Sequence, residues 1–307
     1  MEYDVIGDIH GKGTMLEALL SRLGYAKSWD GWTPPNGRQA VFLGDLIDRG
    51  DEQCKVLDIV RRMSDNGNAR CIMGNHELNA IGWVTPDPRK ERDFLRPHTE
   101  DKLRQHRAFL DQVGEGSVLH RELVEWFRTL SPMLDLGGIR VVHAWWNQDY
   151  VDFVGKRQAG RRPLDGDLLL EVFRRDSDAW RAYQGLTKGC ELNLPDGAFF
   201  LDKDGISRND VRAQWWREDA RTYREIAVVE DHQRDRIPAL PLPAHYAATP
   251  VRGAPVFVGH YWLVGELVPR NEKLACLDFS VGKGGPLVAY RWRGEEIVVA
   301  RNFVSVQ

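Results

Sequence analysis

The sequence predicts an α/β layered fold, and three observations predict it. Through roughly the first quarter of the chain, apolar runs of strand length alternate with apolar residues at helical spacing. A glycine-anchored polar block follows each of three such runs directly, where ligand sites of open α/β sheets gather. Short apolar runs then return near the end, at 256–258, 274–279, 287–290 and 297–300.

Tyr3 to Ile6 read as a buried strand stopping at Gly7-Asp8, and Met15, Leu16, Leu19, Leu20 and Leu23 as one face of a helix ending at Gly24. The second unit repeats this layout. Ala40 to Leu43 form its strand, Gly44 to Gly50 its loop, and Val56, Leu57, Ile59, Val60 and Met63 its helix, which stops near Asn66-Gly67. Arg70 to Met73 make a third strand before the Gly74 loop. Residues 85–115 are charged and mostly helical, punctuated by Pro86, Pro88 and Pro97. Leu123 to Leu130 give a short helix halted by Pro132, and Ile139 to Val142 a strand leading to His143. Residues 150–245 are a polar insertion rich in Arg and Trp, expected to act as a lid over the site, and Pro238, Pro241 and Pro243 close it. The four late apolar runs read as strands of an antiparallel or mixed sheet, with a hairpin turn at Gly294.

Bulk properties exclude several classes. The 307 residues suffice for a buried core without disulfides, and one domain over 1–307 is expected. A net charge of −3 offers no general attraction to long nucleic acid or to anionic membrane. Cys54, Cys71, Cys190 and Cys276 form no Cys-x-x-Cys pair, which fits reduced thiols in a cytoplasmic setting. No apolar stretch approaches the roughly 20 residues of a membrane span. The first motif begins at Gly7, so no leader is expected.

The chemistry lies in Gly7-Asp8-Ile9-His10-Gly11, Gly44-Asp45-Leu46-Ile47-Asp48-Arg49-Gly50 and Gly74-Asn75-His76-Glu77. In an extended segment Asp8 and His10 share a face and can reach one ion. Asp45 has the same introduction, and its carboxylate could bridge two ions. Asn75 supplies a neutral oxygen. His143 and His260 follow strands in the same way and complete the candidate ligands. A lone Gly-Asp after a strand is an ordinary turn; the joint pattern carries the argument. Hard oxygen and borderline nitrogen donors beside a cation suit a two-metal phosphoryl-transfer site. Glu77 reads as a helix cap or a loop brace, and Asp278 as a structural residue at a strand end.

The three motifs resemble the signature of the calcineurin-like metallophosphoesterases, in the branch holding Ser/Thr phosphoprotein phosphatases and symmetric diadenosine tetraphosphatases. The resemblance covers about residues 1–80, 130–147 and 254–300. It implies a four-layer fold, a two-sheet β-sandwich flanked by helices. It implies that Asp8, His10 and Asp45 hold one divalent ion and that Asp45, Asn75, His143 and His260 hold a second. Manganese is the first choice, with iron or zinc as alternatives. A water shared by the ions would attack phosphorus in line. Arg49 would grip the nonbridging oxygens, His76 would protonate the leaving oxygen, and Asp48 would orient His76 and keep it charged.

The chain departs from that pattern in His143-Ala144-Trp145-Trp146 and His260-Tyr261-Trp262, where relatives carry small residues or Thr. Trp145 and Trp146 read first as packing residues and second as a platform for a nucleobase. From the insertion, Arg212 first and Lys188 second are expected as further phosphate-binding cations. Lys156, Arg157, Arg161 and Arg162 read as a solvated loop. The first reading of function is a phosphomonoesterase of the Ser/Thr phosphatase type. The alternative is a symmetric bis(5'-nucleosyl)-tetraphosphatase or another nucleotide phosphohydrolase. The expected partners are thus a phosphorylated small molecule, a nucleotide or a phosphoprotein. A non-catalytic scaffold is disfavoured because no motif residue is missing. Balanced charge disfavours a phosphodiesterase of long nucleic acid.

Overall fold

The computed structural model describes residues 1–158, 164–195, 197–201, 205, 207–244 and 246–307. The first part of the chain runs β1 (Glu2–Ile6), α1 (Gly13–Arg22), β2 (Ala26–Ser28), β3 (Gly31–Thr33), β4 (Arg38–Phe42), α2 (Gln53–Asp65), β5 (Ala69–Cys71) and α3 (Asn75–Val84). Next come α4 (Glu100–Val113), α5 (Val118–Phe127), β6 (Met133–Asp135) and β7 (Arg140–Val142). The predicted insertion holds α6 (Gln148–Gln158), α7 (Gly166–Val172), α8 (Asp178–Lys188), β8 (Glu191–Asn193), β9 (Phe200–Leu201), β10 (Ser207–Arg208), β11 (Asp210–Arg212) and α9 (Tyr223–Ile226). The chain closes with β12 (Val256–Val258), β13 (Leu274–Cys276), β14 (Leu287–Trp292) and β15 (Phe303–Val306).

Two sheets carry the architecture. The larger has the order β15-β14-β1-β4-β5, with β1, β4 and β5 parallel. The second has the order β13-β12-β7-β6, with β7, β12 and β13 parallel and β6 antiparallel. Side chains alternate across a strand, so each sheet has two faces. Tyr3, Val5, Val41, Leu43, Val288 and Tyr290 of the first sheet share one core with Val141, Phe257, Ala275 and Leu277 of the second. That shared core makes the expected sandwich. On the other face, Ile6, Ala40, Phe42 and Ala289 join Leu16, Leu19, Val56 and Val60 of α1 and α2. The same helix-side core includes Val154, Leu169, Leu186 and Trp215 of the insertion.

Parallel strands put like ends together. The loops after β1, β4, β5, β7 and β12 all open on one edge of the sandwich. They are stitched to one another: the Ile9 and His10 amides donate to Asp45 O, and the Gly11 amide donates to Leu46 O.

Several elements differ from expectation. Residues 85–115 are helical only over α4, and the late strands divide between the two sheets. The fifth helix starts earlier than the apolar run suggested, at Val118, because Ser117 caps it by accepting the His120 amide at 3.0 Å. The last strand is not 297–300 but β15, and Gly294 opens a longer connection rather than a tight hairpin. Within 297–300, the Val298 amide donates to Glu272 O and the Val299 amide to the Tyr290 hydroxyl, which diverts those backbone groups from a ladder.

Phe257 is fully buried between the sheets. Phe257→Ala is expected to destabilise the fold by about 3–5 kcal/mol in urea unfolding. A loss under about 1 kcal/mol would contradict a close-packed sandwich at that point.

Candidate metal centre

Five of the site residues are held in a backbone state that a side chain rarely adopts unaided. His10, Asp45, Asp48, Arg49 and His260 have φ of 48°, 48°, 71°, 70° and 68°. Such left-handed residues cost of order 1–3 kcal/mol each and persist only where the surroundings over-determine them. Glu77 supplies part of that determination. Its buried carboxylate accepts the Asp45 amide at 2.9 Å, the Leu46 amide at 2.8 Å and the Gly74 amide at 2.9 Å. Glu77 therefore both caps α3 and braces the Asp45 loop. Glycine is needed where these loops meet: a Cβ on Gly44 would fall 2.3 Å from the Gly74 nitrogen, and one on Gly74 would fall 2.3 Å from Asp45 Oδ1.

Asp45 sits at the middle of the cluster. Its Oδ2 lies 3.7 Å from His10 Nε2 and 3.8 Å from His76 Nε2, and its Oδ1 lies 3.3 Å from His143 Nε2. Asn75 Oδ1 is 3.2 Å from the same His143 nitrogen. The carboxylate of Asp8 accepts the His260 amide at 3.1 Å. Two potential ligand groups result, His10–Asp45–His76 and Asp45–His143–His260, with the donor atoms of each within 4.8 Å of one another. Four of the six expected ligands fall in these groups, Asn75 and Asp8 border them at His143 and at the His260 amide, and His76 stands beside His10 and Asp45 where Asp8 was expected.

The residues fit a pair of divalent ions. His10 Nδ1 donates to Ile47 O at 2.9 Å and His143 Nδ1 to Leu43 O at 2.7 Å, so each ring turns its Nε2 toward Asp45. His260 Nε2 is buried with no hydrogen-bond partner among the described residues. The electrostatics agree. Burial, then the Asp278 charge, pushes the Asp8 carboxyl up. Burial, then Arg49 for His10 and Arg212 for His260, pushes those two imidazoles down. Burial also opposes a charge on His143, but the Asp45 carboxylate outweighs it and pushes His143 up to about 10. The pocket therefore favours positive charge beside Asp45, and a cation can supply it in place of a proton. An all-nitrogen and oxygen donor set suits manganese, iron or zinc.

Asp48 is bonded on both oxygens. His76 Nδ1 lies 2.5 Å from Oδ2, and His106 Nδ1, from the middle of α4, lies 2.8 Å from Oδ1. Burial opposes ionisation of Asp48, but His106 and His76 hold its carboxyl well below the usual range. Gln53 fixes the loop itself, accepting the Asp48 amide at 2.9 Å and donating to Gly50 O at 2.7 Å. The sequence reading missed both His106 and Gln53. The signal for His106 was its place on the α4 stripe of His106, Phe109, Leu110 and Val113, where a histidine reads as core.

A cavity of about 960 Å³ opens over this centre. Asp8, His10, Asp45, Arg49, Asn75, His76 and His260 line it, together with Lys188 and Arg212. Both cations expected from the insertion thus face the same cavity as the motifs. Arg212 Nη1 donates to His260 O at 3.5 Å, and its Nη2 lies 3.8 Å from Glu191. Trp145 and Trp146 do not line the cavity. Trp146 packs in the core, while Trp145 rests edge-on against Tyr150 and donates to Thr249, so their role is packing. Trp262 lines the cavity instead. Asp278 accepts the Trp262 amide at 2.6 Å and the Ser280 amide at 2.9 Å, the structural part expected of it. Lys156 and Arg157 are exposed on α6, whereas Arg161 and Arg162 lie outside the described residues.

The model of the calcineurin-like phosphoesterase family matches residues 1–260. The chain is 32% identical over 200 residues to a bis(5'-nucleosyl)-tetraphosphatase PrpE [asymmetrical] of Geobacillus thermodenitrificans, covering 60% of this chain and 78% of that protein. It is 42% identical over 229 residues to the protein of the same name from Oceanobacillus iheyensis, covering 69% of this chain and 88% of that protein. Among solved structures, a cold-active protein-tyrosine phosphatase of a psychrophilic Shewanella shares the fold. Its TM-score is 0.50 at 18% identity, over 100% of this chain and 80% of that one.

Because Asp48 serves two buried imidazoles, removing it should cost more than removing either one. Asp48→Ala is expected to lose about 3–5 kcal/mol of stability, against about 1–3 kcal/mol for His106→Ala, both read by denaturant unfolding. Equal losses would contradict a shared carboxylate.

Proposed function

The chain belongs to the calcineurin-like phosphoesterases, hydrolases of phosphate ester or anhydride bonds, and on that premise we propose that its substrate is a nucleoside polyphosphate. We assign one ion to Asp8, His10 and Asp45, and a second to Asp45, Asn75, His143 and His260, with manganese as first choice. When bound, the ions make water nucleophilic at neutral pH and take up negative charge on the phosphoryl group.

The remaining roles fall to the chain's own side chains. Arg49, on the cavity wall, binds the nonbridging oxygens with its planar guanidinium. His76 turns Nε2 toward Asp45 while its Nδ1 is bonded to Asp48, so Nε2 can carry a proton to the leaving oxygen. Lys188 and Arg212 give the substrate further cations. The four cysteines are free, which supports the proposed cytoplasmic setting. No helix among the described residues is long and apolar enough to cross a membrane.

One observation carries the choice of substrate: Arg49, Lys188 and Arg212 line a single large cavity with the metal cluster. A phosphomonoester brings one phosphate to neutralise, whereas a polyphosphate chain brings several and uses all three cations. The names of the PrpE relatives point the same way. The tetraphosphatase reading therefore comes ahead of the phosphomonoesterase reading that the motifs alone placed first. Those names also favour unequal cleavage over the symmetric cut first expected.

The test is a manganese assay comparing diadenosine tetraphosphate, p-nitrophenyl phosphate and a phosphopeptide. The dinucleotide is expected to show the highest kcat/KM, yielding a nucleoside triphosphate and a monophosphate. EDTA should abolish turnover and added manganese restore it. His76→Ala should lower kcat by about 10²–10⁴-fold, and Arg49→Ala by about 10²–10³-fold. A phosphopeptide as the best substrate would overturn the nucleotide reading. Full activity in EDTA would overturn the metal assignment.

A further inference from the structure

Three cations of the cavity make no ion pair with a carboxylate among the described residues. Arg96 precedes α4, Lys102 lies in its first turn, and Lys188 ends α8, which packs against α3. All three line the cavity, with Asn79, Thr99 and Gln105 between them. The nearby acids are engaged elsewhere: Asp101 pairs with Arg104 at 2.8 Å, and Glu191 lies 3.8 Å from Arg212. Among the described residues the Arg96 guanidinium donates to the neutral Gln105 at 3.2 Å, and its buried Nε has no partner.

The three groups act on one another. Burial, then the Arg96 charge, pushes Lys188 down to about 8; Glu191 opposes this, and Arg212 and Lys102 add to it. Lys102 is lowered by burial and by the same Arg96, against the opposing field of Asp93. Arg96 is itself pushed down to about 10 by burial, against the opposing field of Asp48. Its Gln105 partner precedes His106 on α4, and the His106 ring is bonded to Asp48, so Arg96 lies toward the Asp48–His76 end of the cavity. Gathering half-buried like charges is unfavourable unless an anion joins them.

We propose that Arg96, Lys102 and Lys188 form a second anion subsite, beyond the scissile phosphate on the side of His76, that holds the departing phosphate chain. The inference rests on the phosphohydrolase reading and deepens it. The group protonated by His76 is itself a phosphate, whose remaining oxygens lie against these cations. Such a leaving group distinguishes a phosphoanhydride from a seryl ester, which has no charge to place there.

Equilibrium dialysis of the manganese-loaded protein tests this, at buffered free manganese, with orthophosphate and with hydrolysis-resistant imido-bridged tripolyphosphate. The wild-type protein should bind the tripolyphosphate analogue more tightly than orthophosphate. Arg96→Gln and Lys102→Gln should each cut the ratio of the two affinities by about tenfold, while Arg96→Lys keeps most of it. Lys102 is less enclosed than Arg96, so its variant keeps the test decisive if Arg96→Gln fails to fold. An unchanged ratio in both glutamine variants would overturn the subsite, even if diadenosine tetraphosphate is cleaved. A ratio that depends on Arg96, with no dinucleotide cleavage under any divalent ion, would instead overturn the parent reading and leave an anion site.

Discussion

Everything at this centre depends on holding one carboxylate, that of Asp45, in a buried and left-handed position between two groups of imidazoles. The strain is local, and so is its remedy. Glu77 receives three backbone amides from the two loops that meet there, and two glycines let those loops approach to van der Waals limits. The amide bonds fix the Glu77 carboxylate in place, while burial, then the Asp45 charge, pushes its carboxyl up to about 6. Remove that brace and Asp45 gains freedom to turn away from His143, dissolving the link between the two halves of the cluster.

The sandwich explains why residues so far apart in sequence converge. Parallel strands in both sheets discharge their loops at one edge, so His143 and His260 from the second sheet meet Asp8, Asp45 and Asn75 from the first. The shared apolar core between the sheets sets the distance. The segment at 150–245 contributes to the cavity as well. Its Lys188 and Arg212 add to the positive charge that Arg49, Arg96 and Lys102 bring to the same cavity.

Much of this was legible in the sequence because the motifs combine local rules. A strand ending in Gly-Asp places a carboxylate at a sheet edge, whatever the rest of the chain does. The six ligand candidates and Asp48, Arg49 and His76 could thus be named before any fold was known. His106 could not, because its bond to Asp48 spans 58 residues and its helical spacing matches ordinary core. Arg96 sits in a charged run where nothing local separates a cavity wall from a solvated surface. The misplaced final strand shows the converse. Val298 and Val299 have strand-like character, but the Tyr290 hydroxyl and Glu272 carbonyl take their amides, a long-range choice invisible in local pattern. Trp145 and Trp146 illustrate a third limit, since an aromatic pair beside a ligand reads alike whether it faces core or cavity.

The proposed bridging of two divalent ions by Asp45 is open to direct test. Its most direct measurement is anomalous scattering from crystals grown with manganese. Two peaks about 3.5–4 Å apart are expected, one on either side of the Asp45 carboxylate, with His10 beside one and His143 and His260 beside the other. A single peak, or a pair not bridged by Asp45, would contradict it.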